Sequence, residues 1–359
     1  MSTSKSAGTM KNKKKHPRPG VTGRRMLYIM LGVSLLLIIF LVVAYPLVMT
    51  GAPRTAVIRI PKGATEITVR DSLARHFGDE YAGIVMRAAS LRRIDYGRRH
   101  GSYEITEGTS PLSAMRKLTS GAQTPVRITI NGYRSLPLLL QNVADKFEFT
   151  VDSLAQALYD KDFLDSYGLT PDNAMAIFIN DTYEVYWSAT PREVLEKFGK
   201  NYRYLWNEGN RAKAAQLGLH PEQIMIIASI VDEETNTRSE KGTIGRLYIN
   251  RLHNGMRLQA DPTVRFAIGD FTIQRISNED LNVTSPYNTY RNDGLPPGPI
   301  RTIDKRTVQN ILDSKPHDYL YMCARETLDG THNFARTFDE HTRNALKYRQ
   351  TLDKLGISR

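Results

Sequence analysis

The pattern of apolar and polar positions divides the chain into one long apolar run and many short periodic segments. From Met26 to Met49 the run MLYIMLGVSLLLIIFLVVAYPLVM contains no charged residue. About 20 apolar residues in a helix cross a bilayer core, so the run predicts one transmembrane helix over 26–49. A cleaved signal peptide has an apolar core of only about 7–15 residues and ends at small residues. Tyr45-Pro46 stands where such a cleavage site would fall, and a signal anchor is the better reading. Further on, Ala56–Ile60 and Gly101–Ile105 predict short strands. The stretches 66–77 and 80–91 carry helical spacing, and Ser110-Pro111 opens a helix through Leu118 that Gly121 closes. Pro125–Ile130 alternates with period two, as a half-buried strand does. The pattern then turns mostly helical from about 135 to 215, apart from the aromatic and β-branched run Ala176–Trp187, which predicts a strand or extended loop.

The most informative segment is Pro221–Thr235, PEQIMIIASIVDEET. Pro221 and Glu222 suit a helix start, and Ile224, Ile227, Ala228 and Val231 form one apolar stripe. At 100° per residue, Glu234 lies about 20° from Ile227 on the wheel, whereas Asp232 and Glu233 point away from the stripe. A carboxyl on an apolar face beside two other acids is hard to ionise, which suits a general acid. A frayed helix end or a buried ion pair would use the same residues structurally. A second helix is expected within Ser239–Gly255, ended by Asn254-Gly255. A loop rich in amide and aromatic side chains follows, SPYNTYRNDGLPPGP at 285–299, a composition that suits a sugar.

Charge sharpens the membrane reading. The protein has 359 residues and a net charge of +12, but residues 1–25 hold eight basic side chains and no acid. The remaining chain carries 41 basic and 37 acidic residues, so the basic balance gives no reason to invoke nucleic acid. Lysine and arginine resist translocation, which predicts a cytoplasmic tail over 1–25 and export of the 306 residues from Arg54 to Arg359. Cys323 is the single cysteine, which excludes an internal disulfide. No glycine-rich phosphate loop, HExxH pair or Gly-x-Ser-x-Gly elbow occurs, and the histidine spacing predicts no metal site. His332 and His341, nine positions apart, read as structural.

The runs ASIVDEET, LYINRLHNGMRLQADPTV, SPYNTYRNDGLPPGPI and GTHNF resemble the endolytic murein transglycosylases of the MltG/YceG type, with the specific match in residues 224–338. The resemblance implies an α+β chain arranged as a basic cytoplasmic tail (1–25), a transmembrane anchor (26–49), a small LysM-like unit (55–133), a mainly helical connecting region (134–215) and an α+β catalytic domain (216–359). It implies cleavage of the MurNAc–GlcNAc bond of peptidoglycan to leave a 1,6-anhydro-MurNAc end, without a cofactor or metal. It also implies residence in the bacterial inner membrane beside peptidoglycan synthases. The family's essential glutamate, the second acid of E-x-E-T, falls on Glu234, and Asp232 stands where many members have Glu. Asn180 replaces a more usual proline in NDTYE, which leaves that loop's conformation open. By resemblance, Asn250, Gln259, Asp261, Asn288 and Tyr290 hold the sugar or support the acid.

A single acid suffices for such a reaction, because the sugar's own C6 hydroxyl replaces water as the attacking group. Two other classes compete with this reading. A noncatalytic peptidoglycan-binding scaffold has no need of Glu234 on the apolar stripe. A two-carboxylate hydrolase requires a second acid across the sugar, for which Asp261 is the candidate.

Overall fold

The computed structural model describes residues 1, 3, 21–90, 96–273 and 275–356, so most of the basic tail lies outside the described residues. Among the described residues, helices mix with three two-stranded antiparallel sheets, and the chain divides into two compact units, 1–123 and 124–359.

In the first unit, α1 (Val21–Ile39), a π-helical turn (Phe40–Ala44) and α2 (Tyr45–Met49) run on as one apolar helix. Residues 23–49 form a helix whose most apolar 18-residue stretch has a mean hydropathy of 2.9, long and apolar enough to cross a membrane. The wide turn falls just before Pro46, which has no N–H to offer a regular ladder. Beyond it come β1 (Ala56–Ile60), α3 (Glu66–Phe77), α4 (Asp79–Ser90), β2 (Gly101–Ile105) and α5 (Pro111–Ser120). β1 pairs with β2 in register Ala56 to Ile105, and the helices between them share a core of Ile58, Leu73, Phe77, Tyr81, Val85, Tyr103 and Leu118. Ser110 caps α5 through Ser113 N, Pro111 opens it, and Gly121 ends it at φ +72°, as the sequence pattern anticipates.

The second unit begins with β3 (Val126–Ile130), followed by α6 (Leu136–Ala144), α7 (Val151–Leu158), α8 (Lys161–Asp165), β4 (Asp181–Val185), α9 (Pro191–Leu205), α10 (Glu208–Gln216), α11 (Pro221–Glu234), α12 (Lys241–His253), α13 (Asp261–Ile268), α14 (Lys305–Leu312), β5 (Tyr321–Ala324), β6 (His332–Ala335) and α15 (Phe338–Lys354). Here the structure departs from the grouping read in the sequence. β3 pairs with β4, and Ile128 and Ile130 enter the same core as Tyr183, Val185 and α11, so this strand is part of the second unit. A half-buried alternating strand shows that it needs a partner but not which one. The helices of 134–215 and those after 216 likewise share one continuous core.

α11 is the axis of that core. Ile224 to Asp232 are buried consecutively, so the helix is enclosed on all sides rather than along a single stripe. The loop before β4 is stitched down by Asn180. Its amide N donates to Ile303 O at 2.8 Å, and its Oδ1 accepts from Gly132 N at 3.1 Å and Thr302 Oγ1 at 2.7 Å. A proline at this position has no N–H for the first of these bonds.

α12 and α14 pack closely through two glycines. A Cβ on Gly242 would lie 2.6 Å from Asn310 O, and one on Gly245 would lie 2.4 Å from Ile311 Cγ1. Gly242→Val should therefore destabilise the second unit by about 2 kcal/mol, within the range for overpacking, as read by chemical denaturation. Gly83→Ala in α4, where a Cβ meets nothing within 4 Å, should be neutral or slightly stabilising.

Candidate active site

Three acids end α11, and the structure gives each a different environment. Asp232 accepts from Lys241 Nζ and Thr307 Oγ1, both at 2.5 Å, and from Asp304 N at 3.0 Å. Glu233 takes a two-pronged bond from Arg134 at 2.8 Å to each oxygen, and Arg301 Nη1 adds a third at 2.9 Å. Their side chains are only 4% and 6% exposed, so both acids are buried with cations against them. Among the described residues no cation is bonded to Glu234. Its Oε1 accepts a bond of 2.6 Å from the Tyr248 hydroxyl, which comes from the buried face of α12.

Burial pushes the Glu234 carboxyl up to about 7. The Tyr248 bond and the Arg265 charge oppose this, while the charges of Asp261 and Glu233 add to it. The sequence reading credits the two acids that precede Glu234. In the structure Asp261, from another helix, outweighs Glu233, and cations bond both Asp232 and Glu233. The same burial holds the Tyr248 phenol well above its ordinary range, so it is a donor throughout.

Glu234 lies in a cavity of about 280 Å³, walled by Tyr248 and Arg251 of α12, by Leu258, Gln259 and Asp261, by Tyr290, and by Met322, Cys323, Ala324 and His332 of the β5–β6 hairpin. A larger groove of about 470 Å³ lies between the paired strands β3 and β4 and α9 and holds none of the candidate residues, so size alone does not select the site. Of the residues singled out in the sequence, Glu234, Gln259, Asp261 and Tyr290 meet in the smaller cavity. Asp261 is exposed at the first turn of α13, and its Oδ1 accepts from the Tyr290 hydroxyl at 2.6 Å. Gln259 adopts φ +51°, an uncommon conformation for a residue with a side chain. It is held there by its N–H to Thr289 O at 3.1 Å, with Ala260 N on Thr289 Oγ1 at 3.0 Å.

Asn250 and Asn288 lie outside the cavity wall. The Asn250 amide donates to His317 O at 2.7 Å and Tyr319 O at 3.1 Å, tying α12 to the segment that enters β5. Asn288 is fully buried, donates to Leu281 O and Val283 O, and accepts from Tyr290 N at 3.0 Å. Sequence reasoning missed Tyr248 and Arg251. Both sit on the stripe Ile244, Leu247, Tyr248, Arg251 of α12, and a polar group on an apolar stripe is the same signal that selects Glu234. Arg251 is buried without a carboxylate; its Nε donates to Leu320 O at 2.7 Å and its Nη1 to Leu258 O at 2.7 Å.

Comparison with known proteins identifies the family. The profile of the YceG-like family matches residues 58–347, and the chain belongs to that family. It is 28% identical over 269 residues to a Bacillus subtilis (strain 168) protein named endolytic murein transglycosylase, covering 70% of this chain and 73% of that one. A protein of the same name from Streptococcus pneumoniae serotype 2 is 30% identical over 131 residues, 35% of this chain and 23% of that one. The crystal structure of a YceG-like protein from Listeria monocytogenes superposes with a TM-score of 0.53 at 23% identity, over 81% of this chain and 98% of that chain. It shares the fold.

Two titrations follow from this geometry. The folded state holds the Glu234 proton up to about 7, against an ordinary value of 4.5, so it binds more protons than the unfolded chain in that window. Stability should therefore fall as pH rises from 4.5 to 7, by on the order of 2–3 kcal/mol. Glu234→Gln, which stays neutral, should be free of that loss, and denaturation at pH 5 and pH 8 would show it. Tyr248→Phe removes a bond that favours the carboxylate, so the Glu234 titration should move above 7, as read by carboxyl carbon NMR.

Proposed function

We propose that this chain is an endolytic peptidoglycan lytic transglycosylase. It cleaves the MurNAc–GlcNAc bond of nascent glycan strands, leaves 1,6-anhydro-MurNAc ends, and so ends strand elongation. The observation that carries the reading is the Glu234 carboxyl, half-buried in the cavity, bonded by a phenol, and titrating near 7 instead of as an ordinary carboxylate. The names of the relatives from B. subtilis and S. pneumoniae support the substrate class.

Glu234 gives its proton to the glycosidic oxygen as the bond to C1 of MurNAc breaks. The carboxylate left behind, still bonded by Tyr248, takes the proton of the C6 hydroxyl while that oxygen attacks C1. The proton count on Glu234 is restored and no water is consumed. Closing a ring within one sugar uses the proximity of its own hydroxyl, so no second carboxylate has to prepare a nucleophile. Gln259, Asp261 and Tyr290, which line the same cavity, hold the sugar. Asn250 and Asn288 support the site at one remove, since backbone carbonyls occupy their amides. No cofactor enters this scheme.

The apolar helix over residues 23–49 acts as a single-pass anchor in the inner membrane, with the basic end cytoplasmic and both units beyond it outside. The strand–helix–helix–strand body of the first unit supports its reading as a LysM-like glycan-gripping module. Anchoring of this kind keeps the enzyme beside the membrane-bound synthases whose new strands it cuts.

Mass spectrometry of peptidoglycan digested by residues 54–359 tests the reaction. Internal fragments lighter by one water than hydrolysis products are expected, and none with Glu234→Gln. Fragments of full hydrolytic mass would replace this reading with a hydrolase in which Asp261 is the second acid. The reaction consumes the protonated carboxyl, so turnover should decline as pH rises through about 7. A flat profile from pH 6 to pH 9 would contradict the role of Glu234.

A further inference from the structure

One pair of polar groups in the cavity wall has no part in the scheme above. Glu240, the residue before α12, is buried and takes two bonds from a single residue of β6. His332 N reaches Glu240 Oε1 at 2.8 Å, and His332 Nδ1 lies 2.9 Å from Glu240 Oε2. Both side chains are nearly enclosed, at 15% and 11% exposure. A carboxylate can only accept, so Nδ1 carries the proton, and in the neutral ring Nε2 presents a lone pair. Among the described residues no group bonds Nε2, and it is not among the atoms sealed from solvent. The ring borders the same cavity as Glu234, Gln259 and Asp261. A clamp on one edge of an imidazole, with the other edge open in a polar cavity, fixes an acceptor in space.

We infer that His332, held by Glu240, binds a hydroxyl of the hexosamine substrate through Nε2 and so positions the glycan against Glu234. The inference rests on the glycan reading above and adds to it a binding residue that the sequence alone reads as structural. It involves no proton transfer. His332 is a substrate-binding residue and Glu240 a positioning residue. The cavity favours such a division: Tyr248 and Tyr290 already spend their hydroxyl protons on Glu234 and Asp261, and among the residues lining the cavity His332 is the one that carries an imidazole. Sugar hydroxyls need donors and acceptors alike.

The test uses residues 54–359 and soluble, uncrosslinked glycan strands. In a Glu234→Gln background, where nothing is consumed, calorimetry should show His332→Phe binding the strands about tenfold more weakly, the expected scale for one lost hydrogen bond in an enclosed site. With Glu234 restored, His332→Phe should raise KM by about tenfold and change kcat by less than about threefold. His332→Gln, which keeps an acceptor, should recover part of the loss, and Glu240→Ala should fall between the two. Unchanged Kd and KM in His332→Phe, or equal loss in the Gln and Phe variants with a lowered Tm, would overturn the inference and leave a structural clamp. Should His332→Phe fail to fold, the Kd and KM of His332→Gln and Glu240→Ala decide by the same criteria. A Glu234→Gln protein that binds no strands at all, together with a wild type that produces no fragments, would instead overturn the glycan reading.

Discussion

The second unit depends on how it neutralises three carboxylates at the C-terminal end of a buried helix. That end already carries about half a negative charge from unpaired carbonyls, so Asp232, Glu233 and Glu234 add charge where it is least welcome. Leaving a buried carboxylate uncompensated costs several kcal/mol, more than any nearby surface contact returns. Two of the three are offset by cations, Lys241 for Asp232 and Arg134 with Arg301 for Glu233. The third keeps its proton instead, since burial has moved its titration to about 7, at a cost of on the order of 2–3 kcal/mol by pH 7 relative to the unfolded chain. The acid chemistry is thus what remains after the ion pairs have been assigned.

Those ion pairs also determine where the cavity walls stand. Lys241 opens α12 and reaches Asp232, and Tyr248, two turns further along the same helix, reaches Glu234. α12 is therefore pinned to the end of α11 at two points, while Gly242 and Gly245 allow α14 to lie close behind it. Asp304, from the residue before α14, places its N–H on Asp232 as well. Asp232 and Glu233 thus shape the site through packing and charge.

The local elements were legible because their signals are local. Ser110-Pro111 to Gly121, the alternation of 126–130 and the stop at Asn254-Gly255 all concern one segment at a time, and each appears within a residue or two in the structure. The partner of β3 was not legible, because pairing with β4 joins residues more than 50 positions apart and leaves no mark on either strand alone. The site divides in the same way. Glu234 declares itself by an acid on an apolar face, whereas the cations on its neighbours, the phenol of Tyr248 and the Glu240–His332 clamp come from distant segments. Asn250 and Asn288 look like sugar ligands by type, yet their amides are taken by carbonyls that only the fold brings near.

The two acids that border the cavity are not equivalent, and this bears on how one sugar can be cut without water. Glu234 is held at a desolvated helix C-terminus, by a donor that persists in either protonation state. Asp261 is exposed at a helix N-terminus and has one oxygen occupied by Tyr290. A base that prepares water needs an oxygen aimed at a water-filled gap across from the acid. An enclosed carboxyl that has just lost its proton needs only a hydroxyl already attached to the reacting sugar. The pairing of one proton-holding acid with one solvent-facing, half-occupied acid favours the second arrangement. Under the proposed reaction, discrimination between cyclisation and hydrolysis rests on how fully the bound strand fills the cavity around Glu234.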